Sequence, residues 1–358
     1  MSKAAELAAL IGSQTALSNR NMIINGAMTV AQRTASATTV SGAGVYNTID
    51  RLKLWNFSDG AFTSEQSTVV PSGQGFNNSV KFQVTTADSS IGANQYATFG
   101  QIIEAQDCQR LNFGTSAAKT STVSFWVRSN KTGIYCLAFD KEDSPSTSFV
   151  KEFTISSADT WEKKEIVVTP DSQIKGSDGA IANDNGRGIR IFIGLAWGTD
   201  YHRADGTWGT GTGRFATSNQ VNWLDSTSNN FYLTGLQVEV GEQATPFEHR
   251  SFHDEFMRCQ RYYQEIHGGS CEPSSSSVVE TSFTRLPMRA AATGSVSAAI
   301  VIEDPNVTSY TQSSAAVTIL NATARAEKIG LSNFSSLGTS KSFFIKTTGG
   351  HIQLDAEL

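Results

Sequence analysis

Apolar and polar residues alternate along the chain from Met22 to about Phe247. Successive side chains of a β-strand point to opposite faces, so this alternation predicts strands with one buried face. Polar or glycine-rich breaks separate the strands, and no helical period intervenes. The pattern predicts a mainly β fold, an antiparallel jelly-roll sandwich rather than a βαβ fold. The predicted strands lie at 50–57, 79–86, 121–129, 151–157, 162–169, 187–197 and 229–241.

Residues 2–12 have a helical spacing instead. A serine can cap this helix, a glycine can end it, and Ala4, Leu7 and Ile11 fall on one face. A helix of about ten residues is not stable alone in water. We therefore expect it to pack against copies of itself or to dock on another protein.

Residues 251–269 also follow a helical period. Ser251 and Asp254 resemble a capping box, and a glycine pair supplies the end. We predict one helix that packs beneath a sheet or along a symmetry axis. The alternative ends the helix near Arg261 and makes the next residues a strand. The apolar stripe consists of Phe252, Phe256, Cys259, Tyr263 and Ile266.

These patterns divide the chain into four parts. An N-terminal helix and linker span 1–19, the jelly roll 20–250, a short helix and serine-rich linker 251–277, and a small β domain 278–358. Short strands of the last part are predicted within 295–303, 315–324, 342–348 and 351–358. Because so small a β domain buries little surface, we expect it to gain stability by oligomerisation.

Composition narrows the possible functions. Only 17% of residues are charged and the net charge is −5, so the basic stripe on which nucleic-acid binding depends is missing. Neither an apolar run of bilayer length nor a signal peptide is present, so we expect no membrane insertion. Four scattered cysteines suit neither a disulfide framework nor a zinc site. We expect buried thiols in a chain made in a cytoplasm.

Few residues are candidates for catalysis or metal binding. The chain has no GxSxG elbow, and the glycine-rich segment 206–214 lacks the end of a phosphate loop. We therefore expect no cofactor. His249 and His253 are four residues apart, but His249 precedes the predicted helix. Oxygen-bearing side chains within 176–186 could hold a structural calcium ion, although turn formation is the favoured interpretation. The candidate calcium ligands are Asp178, Asn183 and Asp184.

The segment 194–230 is the most informative part of the chain. It places aromatic side chains in a polar loop region, and sugars stack their C–H faces on aromatic rings while carboxylates and amides accept from hydroxyl groups. The other interpretation is that these rings close one end of the sandwich. The candidate glycan ligands are Trp197, Tyr201, His202, Asp205, Trp208 and Trp223. Trp55, Trp126 and Trp161 belong to predicted strands, and we expect them in or near the core.

Residues 19–33 read as the strand that enters the sandwich. Gly26 interrupts the pattern, which indicates a bulge or a close approach of another backbone.

Several motifs in order resemble one protein family. They are NMIINGAMTVAQR, IDRLKLW, STVSFWVRSNKTG, ADTWEKKEI, FYLTGLQVEVGEQATPFEHRSF and RCQRYYQ. Together they cover about residues 19–264 and are similar to the sandwich modules of tail-fibre or receptor-binding proteins of tailed phages. The C-terminal part matches loosely, and the chain lacks the long shaft of large fibres.

The resemblance implies a carbohydrate-binding-like jelly roll on a virion, assembled as a homotrimer and contacting glycans of the host surface. It implies no catalytic residues. We expect the N-terminal helix to join other tail or capsid proteins, and attachment to be multivalent. One alternative is a structural virion protein, such as a capsid-decorating head fibre or a tail connector. Another is a polysaccharide depolymerase.

Overall fold

The computed structural model describes residues 19–358, apart from 41, 212, 214, 285, 307, 323–325, 338–341 and 347–349. The helix predicted at 2–12, with Ala4, Leu7 and Ile11, lies outside the described residues. The chain divides into two compact units, one that ends at Glu255 and also includes Leu358, and one over Phe256–Glu357.

The strands of the N-terminal unit are, in chain order, β1 (Thr38–Val40), β2 (Gly42–Val45), β3 (Lys53–Phe57), β4 (Ala61–Ser67), β5 (Ser79–Thr86), β6 (Tyr96–Glu104), β7 (Ser121–Ser129), β8 (Gly133–Lys141), β9 (Thr147–Ile155), β10 (Glu162–Val168), β11 (Arg187–Trp197), β12 (Thr207–Gly209) and β13 (Asn230–Val240). A short helix α1 (Ser172–Lys175) follows β10. Turns of 3-10 helix lie at Ala105–Leu111, Ser177–Gly179, Thr199–Tyr201 and Trp223–Asp225.

These strands form two antiparallel sheets. The six-stranded sheet has the order β1-β4-β5-β13-β7-β10, and the seven-stranded sheet has the order β12-β9-β8-β11-β6-β3-β2. Aromatic rings from both sheets meet between them, with the centroids of Phe82 and Phe99 4.7 Å apart and those of Phe125 and Phe153 5.1 Å apart. The fold is thus the predicted β-sandwich, and the seven strands predicted between 50 and 241 fall on β3, β5, β7, β9, β10, β11 and β13. The alternation did not predict β1, β2, β4, β6, β8 and β12.

Residues 19–37 form no regular strand, contrary to the prediction. Asn25 and Met28 have positive φ angles of 59° and 57°, which a β-strand does not allow. The Asn21 side chain replaces ladder bonds, because its Oδ1 accepts from the Val238 amide at 3.0 Å. A Cβ on Gly26 would lie 2.1 Å from the Leu236 carbonyl oxygen, so the glycine serves a close backbone approach.

The C-terminal unit is a second β structure. Its strands are β14 (Tyr263–Ile266), β15 (Gly269–Pro273), β16 (Val279–Thr284), β17 (Thr293–Val296), β18 (Val301–Glu303), β19 (Ser309–Thr311), β20 (Val317–Ala322), β21 (Ala326–Leu331), β22 (Phe343–Ile345) and β23 (Ile352–Asp355). They form a three-stranded sheet β14-β23-β17 and a seven-stranded sheet β19-β18-β22-β15-β16-β21-β20. The segment 251–277, which was predicted as a helix and a linker, therefore contributes the strands β14 and β15.

Helix α2 (Phe252–Gln260) is shorter than predicted. The Ser251 hydroxyl accepts from the Asp254 amide at 3.1 Å, which confirms the predicted cap. The alternative end near Arg261 is correct, because the next residues pair as β14 with β23. Tertiary strand pairing therefore overrides the apolar helical spacing beyond Gln260.

All four cysteines are buried free thiols, as predicted. Burial raises the pKa of Cys136 to about 11 and that of Cys271 to about 12. Both side chains therefore act as small apolar groups at neutral pH. No helix in the part of the chain that the structure describes is long and apolar enough to cross a membrane.

Candidate functional site

Three neighbouring strands of the seven-stranded sheet place an aromatic row on the face that points away from the core. Phe57 of β3 pairs with Tyr96 of β6, and Tyr96 pairs with Trp197 of β11. The rings of Tyr96 and Trp197 stack with centroids 5.0 Å apart, and those of Phe57 and Tyr96 are 5.9 Å apart. The row therefore extends across β3, β6 and β11.

A β-bulge in β11 turns Trp197 toward this outer face. Ile191 and Ile193 face the core, and strict alternation would send Trp197 to the core as well. The register with β6 shifts between Gly194 and Ala196, so one extra residue is accommodated and the phase reverses. A bulge of this kind re-aims the side chain that follows it.

A second group of rings lies beside this row. Trp55 of β3 meets Phe192 of β11 with centroids 4.9 Å apart, although β6 runs between these strands. Their approach depends on Gly100, the partner of Phe192 on β6, which presents no side chain on this face. Gly194 similarly leaves room for the indole of Trp197, since a Cβ there would lie 2.6 Å from it.

The loop after β11 brings two more rings onto the same face. Tyr201 contacts Tyr96 with centroids 5.4 Å apart, and Phe215 stacks on Trp197 at 5.0 Å. The whole set is half-buried or exposed, except Phe192 and Trp197, which are 4% and 7% exposed. We call this set the aromatic face, and it consists of Trp55, Phe57, Tyr96, Phe192, Trp197, Tyr201 and Phe215.

Polar groups border the aromatic face. The Arg190 guanidinium lies over the Phe192 ring at 5.0 Å, and the carboxylate of Asp140 holds it through Nε and Nη2 at 2.8 and 2.6 Å. Burial raises the pKa of Tyr96 and of Tyr201. Both phenols are therefore protonated at neutral pH, and the Tyr201 hydroxyl donates to the Asn94 carbonyl at 3.1 Å.

Two other predicted ligands, His202 and Asp205, make hydrogen bonds that hold the loop after β11. His202 Nε2 lies 3.1 Å from the Trp197 carbonyl oxygen, which ties the loop to the end of β11. Asp205 accepts from the Glu152 amide at 2.8 Å and pairs with Lys151. The structure thus brings Trp197, Tyr201 and His202 together and leaves Asp205 at the β9 edge.

The remaining two candidate tryptophans, Trp208 and Trp223, pack in the core of the sandwich. Trp223 is fully buried between the sheets, with its ring 5.7 Å from that of Phe62 and its Nε1 donating to the Asn230 carbonyl at 3.1 Å. Trp208 is 8% exposed, and its Nε1 donates to the Thr169 carbonyl at 2.8 Å. Trp208 lines a cleft of about 600 Å³ with Lys151. The end-closing interpretation therefore holds for these two rings.

Trp55 and Trp126 lie half-buried on outer faces rather than between the sheets, and Trp55 packs against a smaller apolar cluster there, which agrees with the near-core part of the prediction. Trp55 shares its face with Lys53, because Leu54 points into the core. Trp126 shares its face with Ser124, because Phe125 points into the core. The alternation already indicated this outward direction, because each tryptophan lies two residues from a polar residue of its own strand and so shares a face with it. Trp161 is half-buried just before β10, with its ring 6.2 Å from that of Tyr232.

The outer face of the six-stranded sheet holds a smaller candidate site. A cavity of about 400 Å³ lies beside Trp126, Phe76 and His249. It forms at a bulge of β13, where Gly235 has a φ of 65° and a Cβ would lie 2.6 Å from the Phe76 ring. The site offers aromatic contact from one strand tryptophan and from loop residues.

The candidate calcium ligands stay a prediction. Asp178, Asn183 and Asp184 are all exposed. Asp184 Oδ1 accepts from the Gly186 amide at 2.8 Å, which is the turn-forming role, and the Asp178 carbonyl accepts from the Lys141 amino group.

No family model and no curated protein matches this chain. Among solved structures, the enzymatically active domain of bacteriophage CBA120 tailspike protein 4 is 11% identical, with a TM-score of 0.31, over 62% of this chain and 22% of that chain. The family 11 carbohydrate-binding module from Clostridium thermocellum, in complex with a β-1,3-1,4-mixed-linked tetrasaccharide, is 11% identical with a TM-score of 0.29, over 60% of this chain and 99% of that one. TmCBM61 in complex with β-1,4-galactotriose is 13% identical with a TM-score of 0.27, over 63% and 100%. At these scores the likenesses carry no argument about ligands, so the proposals below rest on the side chains of this chain.

Proposed function

We propose that the N-terminal unit binds glycans on its aromatic face without catalysing a reaction, as the receptor-binding part of a phage virion protein. The observation that carries the proposal is the cross-strand row of Phe57, Tyr96 and Trp197. Trp197 is stacked between Tyr96 and Phe215, so it positions the half-buried and exposed rings around it. Those outer rings offer the apolar surface on which sugar units can stack.

The exposed fractions support a binding surface rather than a second core. Phe57 is 53% exposed, and Trp55, Tyr96, Tyr201 and Phe215 are half-buried. Beneath them Phe192 and Trp197 are buried and fix the positions of the outer rings. Rings held by packing lose little conformational entropy when a ligand binds.

The polar border suits hydroxyl groups. Arg190 and the Tyr96 phenol present donors next to the rings, and a few placed polar groups orient a ligand in a mainly apolar site. The carboxylates of Asp140 and Glu142 both engage Arg190, at 2.6 and 3.0 Å. This supports their role as groups that hold the arginine.

The phage assignment rests on the family resemblance of residues 19–264, and the homotrimer is part of the same proposal. Single sugar contacts are weak, so several copies on one particle would provide the affinity through a raised effective concentration.

The central experiment removes the outer rings. The double variant W55A/F57A takes away two surface rings and leaves the buried pair, so we expect the fold to persist. Glycan binding should fall by about fivefold or more, since stacked aromatic pairs contribute roughly 0.5–1.5 kcal/mol each. Binding is measured on immobilised host polysaccharide, and folding by circular dichroism.

The matched control is W126A, which removes a strand tryptophan from the outer face of the other sheet. Retained binding by W126A with lost binding by W55A/F57A supports the proposal. The reverse result moves the site to the cavity beside Trp126. Release of new reducing ends by wild-type protein would contradict the non-catalytic part.

A further inference from the structure

Two histidines and a glutamate converge in the three-stranded sheet of the C-terminal unit. Glu265 lies on β14 and His267 directly after it, and residues two apart in a strand share a face. The register Ile266↔Ile352, continued by one residue, brings His351 opposite His267. The topology therefore assembles three metal-binding side chains from two strands.

The side-chain atoms face one another. His267 Nε2 lies 3.2 Å from Glu265 Oε2, and His351 Nε2 lies 3.1 Å from Glu265 Oε1. The two imidazole rings have centroids 4.5 Å apart, and one ligand atom from each residue lies within 4.8 Å of the others. Ligands of a tetrahedral zinc ion, each about 2.0–2.2 Å from the metal, are about 3.4 Å apart, so small side-chain adjustments suffice.

We propose that Nε2 of His267, Nε2 of His351 and the carboxylate of Glu265 bind a divalent transition-metal ion, with zinc as the best fit. Two imidazoles and one carboxylate are a donor set that Zn²⁺ uses, and they leave a fourth position for water or another ligand. Calcium prefers oxygen ligands and does not fit this set.

Neighbouring groups already hold the ligands in place. Ser297, directly after β17, contacts His351 Nδ1 with its hydroxyl at 3.0 Å. The same hydroxyl accepts from the His351 amide at 3.0 Å. Tyr263 donates its phenol proton to Glu265 Oε1 at 2.8 Å. A hydrogen bond at Nδ1 that leaves Nε2 for the metal is the usual support of a histidine ligand.

His351 Nε2 has a further property that favours a metal. This atom is buried and, despite the nearby carboxylate, makes no hydrogen bond of good geometry. A metal ion would satisfy it. Because Glu265 and His351 are far apart in the chain, the ion would also join β14 to the C-terminal strand β23 and close a long loop.

The test uses the full chain, produced without a polyhistidine tag and stripped with a chelator. Zinc sulfate is titrated by calorimetry, and cobalt(II) is added separately to record its visible absorption. We expect one zinc ion per chain, a cobalt spectrum typical of low coordination number, and a higher melting temperature with zinc.

Three variants test the ligands. His267 has a 58% exposed side chain and Gln is isosteric with Glu, so H267Q and E265Q should keep the fold while their zinc affinity falls at least about tenfold. S297A, which removes a supporting group, should lose about tenfold. The matched control H253Q, at an exposed histidine of α2, should bind as the wild type does.

The proposal is overturned if wild-type protein binds no zinc tightly. It is also overturned if H267Q and E265Q, folded by circular dichroism, keep wild-type affinity. Neither result bears on the aromatic face, which lies in the N-terminal unit.

Discussion

Each of the two sheets of the N-terminal unit carries, on its outer face, a row of side chains that crosses neighbouring strands. The row on one sheet is mainly charged and the row on the other is aromatic. On the six-stranded sheet, Glu65 pairs with Lys81, Lys81 with Tyr232, and Tyr232 with Arg128. On the seven-stranded sheet the corresponding kind of row is Phe57, Tyr96 and Trp197. The first row holds one carboxylate and two cationic groups around a single ring, and the second row is aromatic throughout.

Ion pairs satisfy the charged groups of the first row. The Lys81 amino group lies 2.7 Å from Glu65, and the Arg128 guanidinium lies 3.0 Å from Asp159 and 5.1 Å from the Tyr232 ring. The aromatic face instead keeps apolar surface in contact with water. An exposed apolar patch on a folded domain commonly marks a binding site, which supports the proposal that the seven-stranded sheet carries the glycan site.

The largest expected loss of stability comes from a substitution in the core between the two sheets. W223A removes a fully buried ring between the sheets, and we expect a loss of about 3–5 kcal/mol in the free energy of unfolding. Urea unfolding measures it, with W126A as the comparison at a half-buried position. Equal losses in the two variants would contradict the assignment of Trp223 to the core.

A smaller loss of stability, together with weaker glycan binding, is expected from a substitution at Gly194 next to the Trp197 indole. G194A adds a Cβ 2.6 Å from the Trp197 indole, so we expect the ring to shift, with about 1–3 kcal/mol of lost stability and weaker glycan binding. G330A serves as control, because its Cβ would meet only the Leu320 side chain at ordinary contact distances of 3.5 Å and more. Unchanged binding by folded G194A would show that Trp197 does not shape the site.

The smallest effect concerns the charged row. The hydrogen bond with Glu65 is the main cause that raises the pKa of Lys81 above its ordinary value of 10.5. This contribution to stability is present below pH 10.5 and is lost as the pH rises through the higher folded pKa. Because both side chains are partly exposed and solvent screens the pair, we expect K81M to lose less than about 1 kcal/mol at neutral pH.

The check is urea unfolding of wild type and K81M at neutral pH and above pH 10.5. The difference between the two proteins should shrink at the higher pH, and glycan binding at neutral pH should be equal. A difference that grows with pH would contradict the sign of the shift.

Alternation in the sequence predicted seven of the strands of the sandwich and the β class of the fold, and it also contained the outward direction of Trp55. It did not predict β6, which carries Tyr96. It could not predict that Trp197 points outward from β11, because the bulge that reverses its phase arises from pairing between β11 and β6. The end of α2 depends on β23, nearly a hundred residues downstream, and so does the cluster of Glu265, His267 and His351. Contacts between distant segments leave little trace in a local pattern.

The bulge in β11 has a genetic consequence. Leu195 is the extra residue between Gly194 and Ala196, so loss of its single codon would restore strict alternation and leave Trp197 opposite Tyr96 on the outer face. Such an in-frame deletion would remove one buried apolar side chain from the core and leave the direction of the ring unchanged. The strand can therefore lose this residue by mutation without losing the side chain that the bulge precedes.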